Sequence, residues 1–583
     1  MASTSGITLV LALIIGVFTG AGVILFHFLI DHIHDWAFED LTNLGGDKWL
    51  WTISIPMIGG IIVGAMRWYW KDFGLNMSSM LAATQSGATM KPWLGLVKML
   101  AAAVSLGTGA SLGPEGPSVE IGANLGVLMG QTLRVSQERQ RLLLAAGAAA
   151  GVSAGFNSPI AGVFFALEVV LNSTTATATV SVVVLAAVIS SLVAQVGLGS
   201  QPAFKLPIYE VQSAWELPLY LGLGVLASLL SYASTQTISW CRRFFQGKTL
   251  YAAWMSNLPH WFTPILGGLV VGLTALKFPQ ITGIGYETIE AMLQDVGFSL
   301  TLLVLLVAVK LIMTGISLGS GLVGGLFAPS MFLGASLGTA YVKGLVMLVP
   351  QLDSVMAAPP AYAMVGMATM LASNARAPLT AILLMFELTR DYRIVLPLMA
   401  CVGLSIWLVD RMQTANEFNS GLEKMGLNIQ QDEQAVMLRQ LLVRDAMQPE
   451  WLNLSAVVSI FEAAATLVER QYRSGLVQDS TGQLVGIVTL DDVNRAIAGG
   501  QASDNQQLSS ICTATILYAH ADESVANAIE RMGARGLHQL PVVEPEHPTK
   551  IIGVLCRDNI SLACSLAIAK KHLANRPAVI SQT

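Results

Sequence analysis

The sequence predicts an all-α polytopic membrane domain, an inverted repeat of tilted and partly broken helices, followed by a smaller α/β module that occurs in two copies. Three observations carry this. The chain of 583 residues is 53% hydrophobic and only 12% charged, with a mean hydropathy of +0.61, whereas soluble domains carry roughly 25% charged residues. Residues 413–583 hold 31 of the 69 Asp, Glu, Lys and Arg, so the polar part is C-terminal. A stretch broken by glycine and proline also recurs: a shift of 212 residues places Gly107, Gly109, Gly113, Pro117, Ser118, Gly122 and Gly126 on Gly319, Gly321, Gly325, Pro329, Ser330, Gly334 and Gly338. Lys98 falls on Lys310 under the same shift, and Gly147, Pro159 and Glu168 fall on Gly366, Pro378 and Glu387 at 219.

Taken in order, Ile7–Leu29 is the first apolar run. It lacks the basic start and cleavage site of a signal peptide and reads as a membrane helix. Leu50–Trp68 follows and ends in Arg67-Trp68-Tyr69-Trp70-Lys71, an aromatic and basic interface anchor. Further apolar segments are Trp93–Leu106, Leu142–Ala154, Ile160–Leu171, Val180–Val196, Leu217–Tyr232 and Trp261–Leu276. The series closes with Leu300–Ile316, Met331–Val349, Tyr362–Leu371, Leu379–Leu388 and Ile394–Leu408. Several are shorter than the ~20 residues a perpendicular span needs. Short paired segments in two repeats fit a transporter or channel whose substrate meets broken helices within the bilayer. The net charge of −5 is too small to imply nucleic acid. The five cysteines show neither pairing nor metal-ligand spacing, so neither disulfide nor metal is expected.

In the first repeat's break, Gly107–Gly126, one carboxylate, Glu115, stands between Pro114 and Gly116, ahead of the first good helix former. Glycines let backbone amides converge on a point, and Pro117 suits the opening turn of a helix. A helix N-terminus offers unpaired N–H donors and partial positive charge, an anion site. Glu115 can occupy that site itself and act as a gate. The second copy has Phe327 there, leaving donors alone. A solvated turn is the other reading, and the apolar flanks weigh against it.

The motifs GPEGP (Gly113–Pro117), GLFAP (Gly325–Pro329) and FNSPIAGVFFALEV (Phe156–Val169) together resemble the CLC family of chloride channels and chloride/proton exchangers, over about residues 1–425. The resemblance implies a homodimer in the inner or plasma membrane of the cell, each subunit with its own pore for chloride or related anions. It also makes Glu115 the gating glutamate, with Gly113, Gly116 and the amides of Leu326 and Phe327 around the anion. Gly74, Leu75 and Asn76 stand nearest the family's first anion-binding signature, without its serine and proline. Pro114 occupies an often basic position, leaving Lys98 as the nearest candidate cation. Phe418 replaces a pore-closing tyrosine; it either keeps the aromatic plug or packs at the domain junction. Val169 stands where exchangers carry a proton-passing glutamate. That favours a passive channel gated by voltage and pH, with an antiporter using another proton route as the alternative. Glu168 and Glu387 are expected to bond to neighbouring helix ends.

Residues 413–440 read as a polar linker and 571–583 as a disordered tail. Between them, 441–498 and 508–570 each hold an amphipathic helix followed by strand, turn and helix. This resembles a tandem pair of cystathionine-β-synthase (CBS) domains, expected in the cytoplasm. Such pairs take adenine nucleotides, and the matching positions are Thr489 and Asp492; a structural dimer contact is the other reading. No cofactor is required. CBS pairs also accompany divalent cation transporters and intramembrane proteases. The first would need clustered oxygen ligands in the membrane and the second an HExxH helix; the sequence has neither, so no enzyme is expected.

Overall fold

A computed structural model describes residues 4–40, 47–70, 80, 93–133, 135–171, 177–199, 216–354, 356–389, 394–412, 438 and most of 441–567. The chain divides into two compact units, Met1–Phe418 and Asn419–Thr583.

The first unit is helical. Lipid offers no hydrogen bonds, so each segment must satisfy its own backbone. Helix α1 spans Thr4–Asp35, α2 Lys48–Tyr69, α3 Trp93–Gly107, α4 Glu115–Thr132, α5 Gln137–Phe156, α6 Pro159–Phe165 and α7 Thr177–Leu198. They are followed by α8 Leu217–Phe245, α9 Thr263–Ala275, α10 Tyr286–Leu293, α11 Leu300–Ser320, α12 Phe327–Leu348, α13 Pro359–Ala375, α14 Pro378–Thr389 and α15 Val395–Met412. Seven helices among the described residues are long and apolar enough to cross a membrane, while α3, α6 with its π-helical continuation to Leu171, α9 and α14 are shorter. Apolar side chains such as Phe18, Phe28, Val196 and Leu396 are exposed, as suits a lipid-facing surface. Observed helices outrun the apolar segments where polar residues continue them: α5 begins at Gln137 and α8 runs on through Arg242 and Arg243.

The repeat is visible in the packing. The α4–α5 pair crosses where a Cβ on Gly122 would strike Gly147 O, and one on Gly147 would strike Gly122 O. The α12–α13 pair crosses in the same way at Gly334 and Gly366. The missing side chains let the helix backbones touch. Helices α5 and α13 both end on a left-handed non-glycine residue, Asn157 (φ 54°) and Arg376 (φ 53°), immediately before the short proline-led helices α6 and α14. A third correspondence escaped the sequence reading. Pro56, Gly60 and Gly64 of α2 match Pro264, Gly268 and Gly272 of α9 at a shift of 208. Gly60 meets Pro264 O, and Gly268 meets Pro56 O.

In the second unit, β1 (Asn453–Ser455) pairs in parallel with β2 (Ser474–Gln478), which pairs antiparallel with β3 (Leu484–Thr489). The second copy repeats this with β4 (Ala519–His520), β5 (Gln539–Glu544) and β6 (His547–Cys556). Helices α16 (Val443–Ala446), α17 (Ile460–Glu469), α18 (Leu490–Ala498) and α19 (Val525–Ala534) complete the unit. Ser459 caps α17 by accepting from Glu462 N at 3.2 Å. The leading segment of each copy serves the other. Val443 and Ala446 lie in the core of the second copy, with Gln448 bridged to Val554. Leu508 lies in the core of the first, with Thr513 bridged to Ile487.

Candidate functional site

The two GP-rich signatures meet directly. Gly113 N donates to Gly325 O at 2.9 Å and Gly325 N donates to Gly113 O at 2.6 Å, an isolated antiparallel bridge. A Cβ on Gly116 would come within 2.9 Å of Gly325 Cα. This contact brings the N-termini of α4 and α12 together in the interior. Ser118 and Ser330 close the two opening turns alike, donating to Pro114 O (2.9 Å) and Leu326 O (2.7 Å).

Glu115, the first residue of α4, is 1% exposed. Its Oε2 accepts from Ala328 N at 3.3 Å, and its Oε1 accepts a hydrogen bond from the Tyr286 hydroxyl. The carboxylate thus lies at the N-terminus of α12, where the first N–H groups have no intrahelical acceptor and the dipole favours negative charge. Leu326 and Phe327 are the N-cap and first residue of that helix. The Phe327 ring, at the place equivalent to Glu115, lies against Phe156 and Phe165, with ring centroids 6.3 and 6.0 Å away. Its side chain packs, and only its backbone is polar. Gly113, expected as an anion donor, spends its N–H on Gly325 because the bridge between the repeats requires it.

The cation beside Glu115 is Lys310 rather than Lys98. Lys98 pairs with Glu120 at 2.7 Å. Lys310 is wholly buried, acts electrostatically on Glu115, and donates to Ile281 O (3.1 Å) and Gly283 O (3.2 Å). Its ammonium also lies 5.0 Å from the Phe332 ring centroid. Equivalent lysines in the two repeats have therefore taken different partners, which their shared spacing did not reveal. Tyr286 was missed altogether. The signal available was a tyrosine immediately after Gly283 and Gly285, but it belongs to no repeat match.

Glu168 and Glu387 cap each other's repeat. Glu168 accepts from Leu379 N (3.1 Å) and Thr380 N (3.0 Å) at the start of α14, and from Thr380 Oγ1 (2.8 Å). Glu387 accepts from Ile160 N (2.9 Å) and Ala161 N (2.8 Å) at the start of α6. Glu387→Gln, which turns one acceptor into a donor facing an N–H, is expected to cost about 2 kcal/mol of stability. Thermal unfolding in detergent would fall while ion flux per folded protein is kept; lost flux at unchanged stability would place Glu387 in an ion path instead.

Val169 is half-buried in the π-helical continuation of α6 and packs against the main core. Gly74, Leu75, Asn76 and Phe418 lie outside the described residues. In the second unit, Thr489 N and Oγ1 donate to Asp492 Oδ2 at 3.1 and 2.7 Å, and Asp492 N donates to Thr489 Oγ1 at 3.2 Å. The two candidate nucleotide residues thus form a reciprocal cap at the start of α18. Among the described residues no group of three or more His, Cys, Asp or Glu could hold a metal ion.

The fold and this site define a multi-pass membrane protein in which two inverted repeats bring helix N-termini onto the buried Glu115 carboxylate. The model of the family described as voltage gated chloride channel matches residues 67–410, and the CBS domain model matches 443–499 and 508–565. The chain belongs to the voltage gated chloride channel family and carries two CBS domains. It is 34% identical to chloride channel protein CLC-f of Arabidopsis thaliana, over 95% of this chain and 80% of that protein. It is 30% identical to the H(+)/Cl(-) exchange transporter ClcA of Vibrio parahaemolyticus, over 69% of this chain and 87% of that one. Among solved structures, a slow cyanobacterial Cl-/H+ antiporter superposes with a TM-score of 0.63 at 25% identity, covering 72% of this chain and 97% of that chain.

Proposed function

We propose that the chain is a homodimeric chloride pathway of a cell membrane, with its CBS pair in the cytoplasm, gated in each subunit by Glu115. The observation that carries this is the Glu115 carboxylate seated against Ala328 N at the head of α12. An anionic side chain there competes with a dissolved anion for the same amides. Raised chloride displaces it, and a proton neutralises it so that it leaves. Leu326, Phe327 and Gly116 supply the remaining backbone donors around the anion.

Within the family, we read this member as a passive channel. Val169 offers no titratable group at the position where exchangers carry their inner acid, and a hydrocarbon cannot pass a proton. The antiporter reading has two likenesses in its favour, to the exchange transporter ClcA of Vibrio parahaemolyticus and to the cyanobacterial Cl-/H+ antiporter. Reversal potentials of reconstituted protein under a pH gradient separate the two. A channel gives the chloride equilibrium potential at every pH gradient; a reversal potential that moves with the gradient establishes proton coupling and discards the channel reading.

For the CBS pair we favour a structural role. An adenine nucleotide would be met by Thr489 and Asp492, whose side chains already satisfy each other and the start of α18.

A further inference from the structure

Two donors of different kinds reach the Glu115 carboxylate from other elements. Ala328 N belongs to the helix terminus that an anion would also use, whereas the Tyr286 hydroxyl comes from a separate element, the first residue of α10. That element is fixed from both repeats. Gly283 N donates to Gly109 O at 3.0 Å, and Lys310 holds the carbonyls of Ile281 and Gly283. Gly285, at φ 85°, turns the chain so that α10 starts on the tyrosine. A cavity of about 600 Å³ is lined by the same residue together with Asp31, His34, Phe38, Thr52 and Glu287. Tyr286 is half-buried, and Asp31, His34 and Glu287 are exposed. Tyr286 therefore both lines the cavity and bonds the carboxylate. Among the described residues, the titratable groups facing Glu115 are Tyr286 from α10 and Lys310 from α11; those sharing the cavity with Tyr286 are Asp31 and His34 of α1 and Glu287 of α10.

We propose that Tyr286 is the latch of the gate: its hydroxyl holds the charged Glu115 carboxylate at the head of α12 and thereby sets the chloride concentration and the pH at which the carboxylate leaves. The inference rests on Glu115 being the gate. Its physical basis is that a hydroxyl bonds an ionised carboxylate about twice as strongly as a neutral acid. The latch therefore favours the charged, seated state over both the protonated state and the chloride-displaced one.

The test uses the full-length protein reconstituted in liposomes, with chloride flux measured against chloride concentration and pH. Tyr286→Phe keeps the ring and removes the donor. Half-activation is expected at about tenfold lower chloride, the worth of one hydrogen bond to a charged group, with the pH curve displaced upward by about one unit. In a Glu115→Gln background the same substitution should change neither quantity. Wild-type titrations in Tyr286→Phe, or an equal displacement in the Glu115→Gln background, would overturn the latch. Tyr286→Leu is read by the same criteria if the phenylalanine variant is not recovered folded. The two levels fail separately: a Glu115→Gln protein with wild-type pH dependence removes the gate itself, whereas an open Glu115→Gln protein beside an unaltered Tyr286→Phe removes the latch alone.

Discussion

Glu115→Gln is expected to conduct at every pH at which the protein is folded. The amide keeps the volume and loses the charge, so it no longer competes with chloride for the amides at the head of α12. In the wild type, rising pH ionises the carboxylate and closes the path. Each pH unit above the midpoint of that closure reduces the protonated fraction about tenfold. One unit above the midpoint, the variant should therefore carry about ten times the wild-type flux, and below it the two should converge. Liposome chloride efflux over a pH series measures this. A variant whose flux still falls with rising pH would show that another group closes the path. The prediction draws its strength from burial: Glu115 is 1% exposed and bonded by both carboxylate oxygens, so its charge state decides whether it stays.

Gly366→Val should abolish recovery of the folded protein. At this crossing α12 and α13 touch backbone to backbone, each glycine lying against the carbonyl of the other. A valine cannot be accommodated by a rotamer change, because the obstacle is main chain. Overpacking of an ordinary core costs about 1–3 kcal/mol, and here the helices themselves must separate. Moving them also moves the head of α12 and the Gly113–Gly325 bridge that positions Glu115. Gly366→Ala should be recovered in reduced yield with weakened gating. Size-exclusion profiles of detergent extracts report the recovery of both variants, and liposome chloride flux reports the gating. A monodisperse, thermostable Gly366→Val protein would mean that the crossing is looser than the structure shows.

Much of this was legible in the sequence because it concerns glycine, proline and apolar length. Among the glycines matched at shifts of 212 and 219, Gly122, Gly126 and Gly147 proved to lie at the crossing of α4 with α5, and Gly334, Gly338 and Gly366 at that of α12 with α13. Glu168 and Glu387, at equivalent places in the two repeats, bond to neighbouring helix starts, the structural one of the two readings open to them. The match between α2 and α9 was equally present in the letters, as PMIGGIIVG and PILGGLVVG. Its shift, 208, differs from the 212 and 219 of the other matches, so no single shift aligns all three. Insertions between repeats change the shift without changing the symmetry.

Side-chain partnership was a different matter. Lys98 and Lys310 are equivalent in sequence, yet one pairs with Glu120 and the other lies beside Glu115. Tyr286 reaches its carboxylate across 171 positions of sequence.

The sequence by itself determined a membrane-embedded repeat with one carboxylate placed at a helix start, since lipid solvation, helix length and glycine conformation are local properties of the chain. Only the tertiary structure decided what surrounds that carboxylate. A repeat folded about a pseudo-two-fold crosses its elements over, so the groups that hold Glu115 come from the other half of the chain, and no local pattern records them.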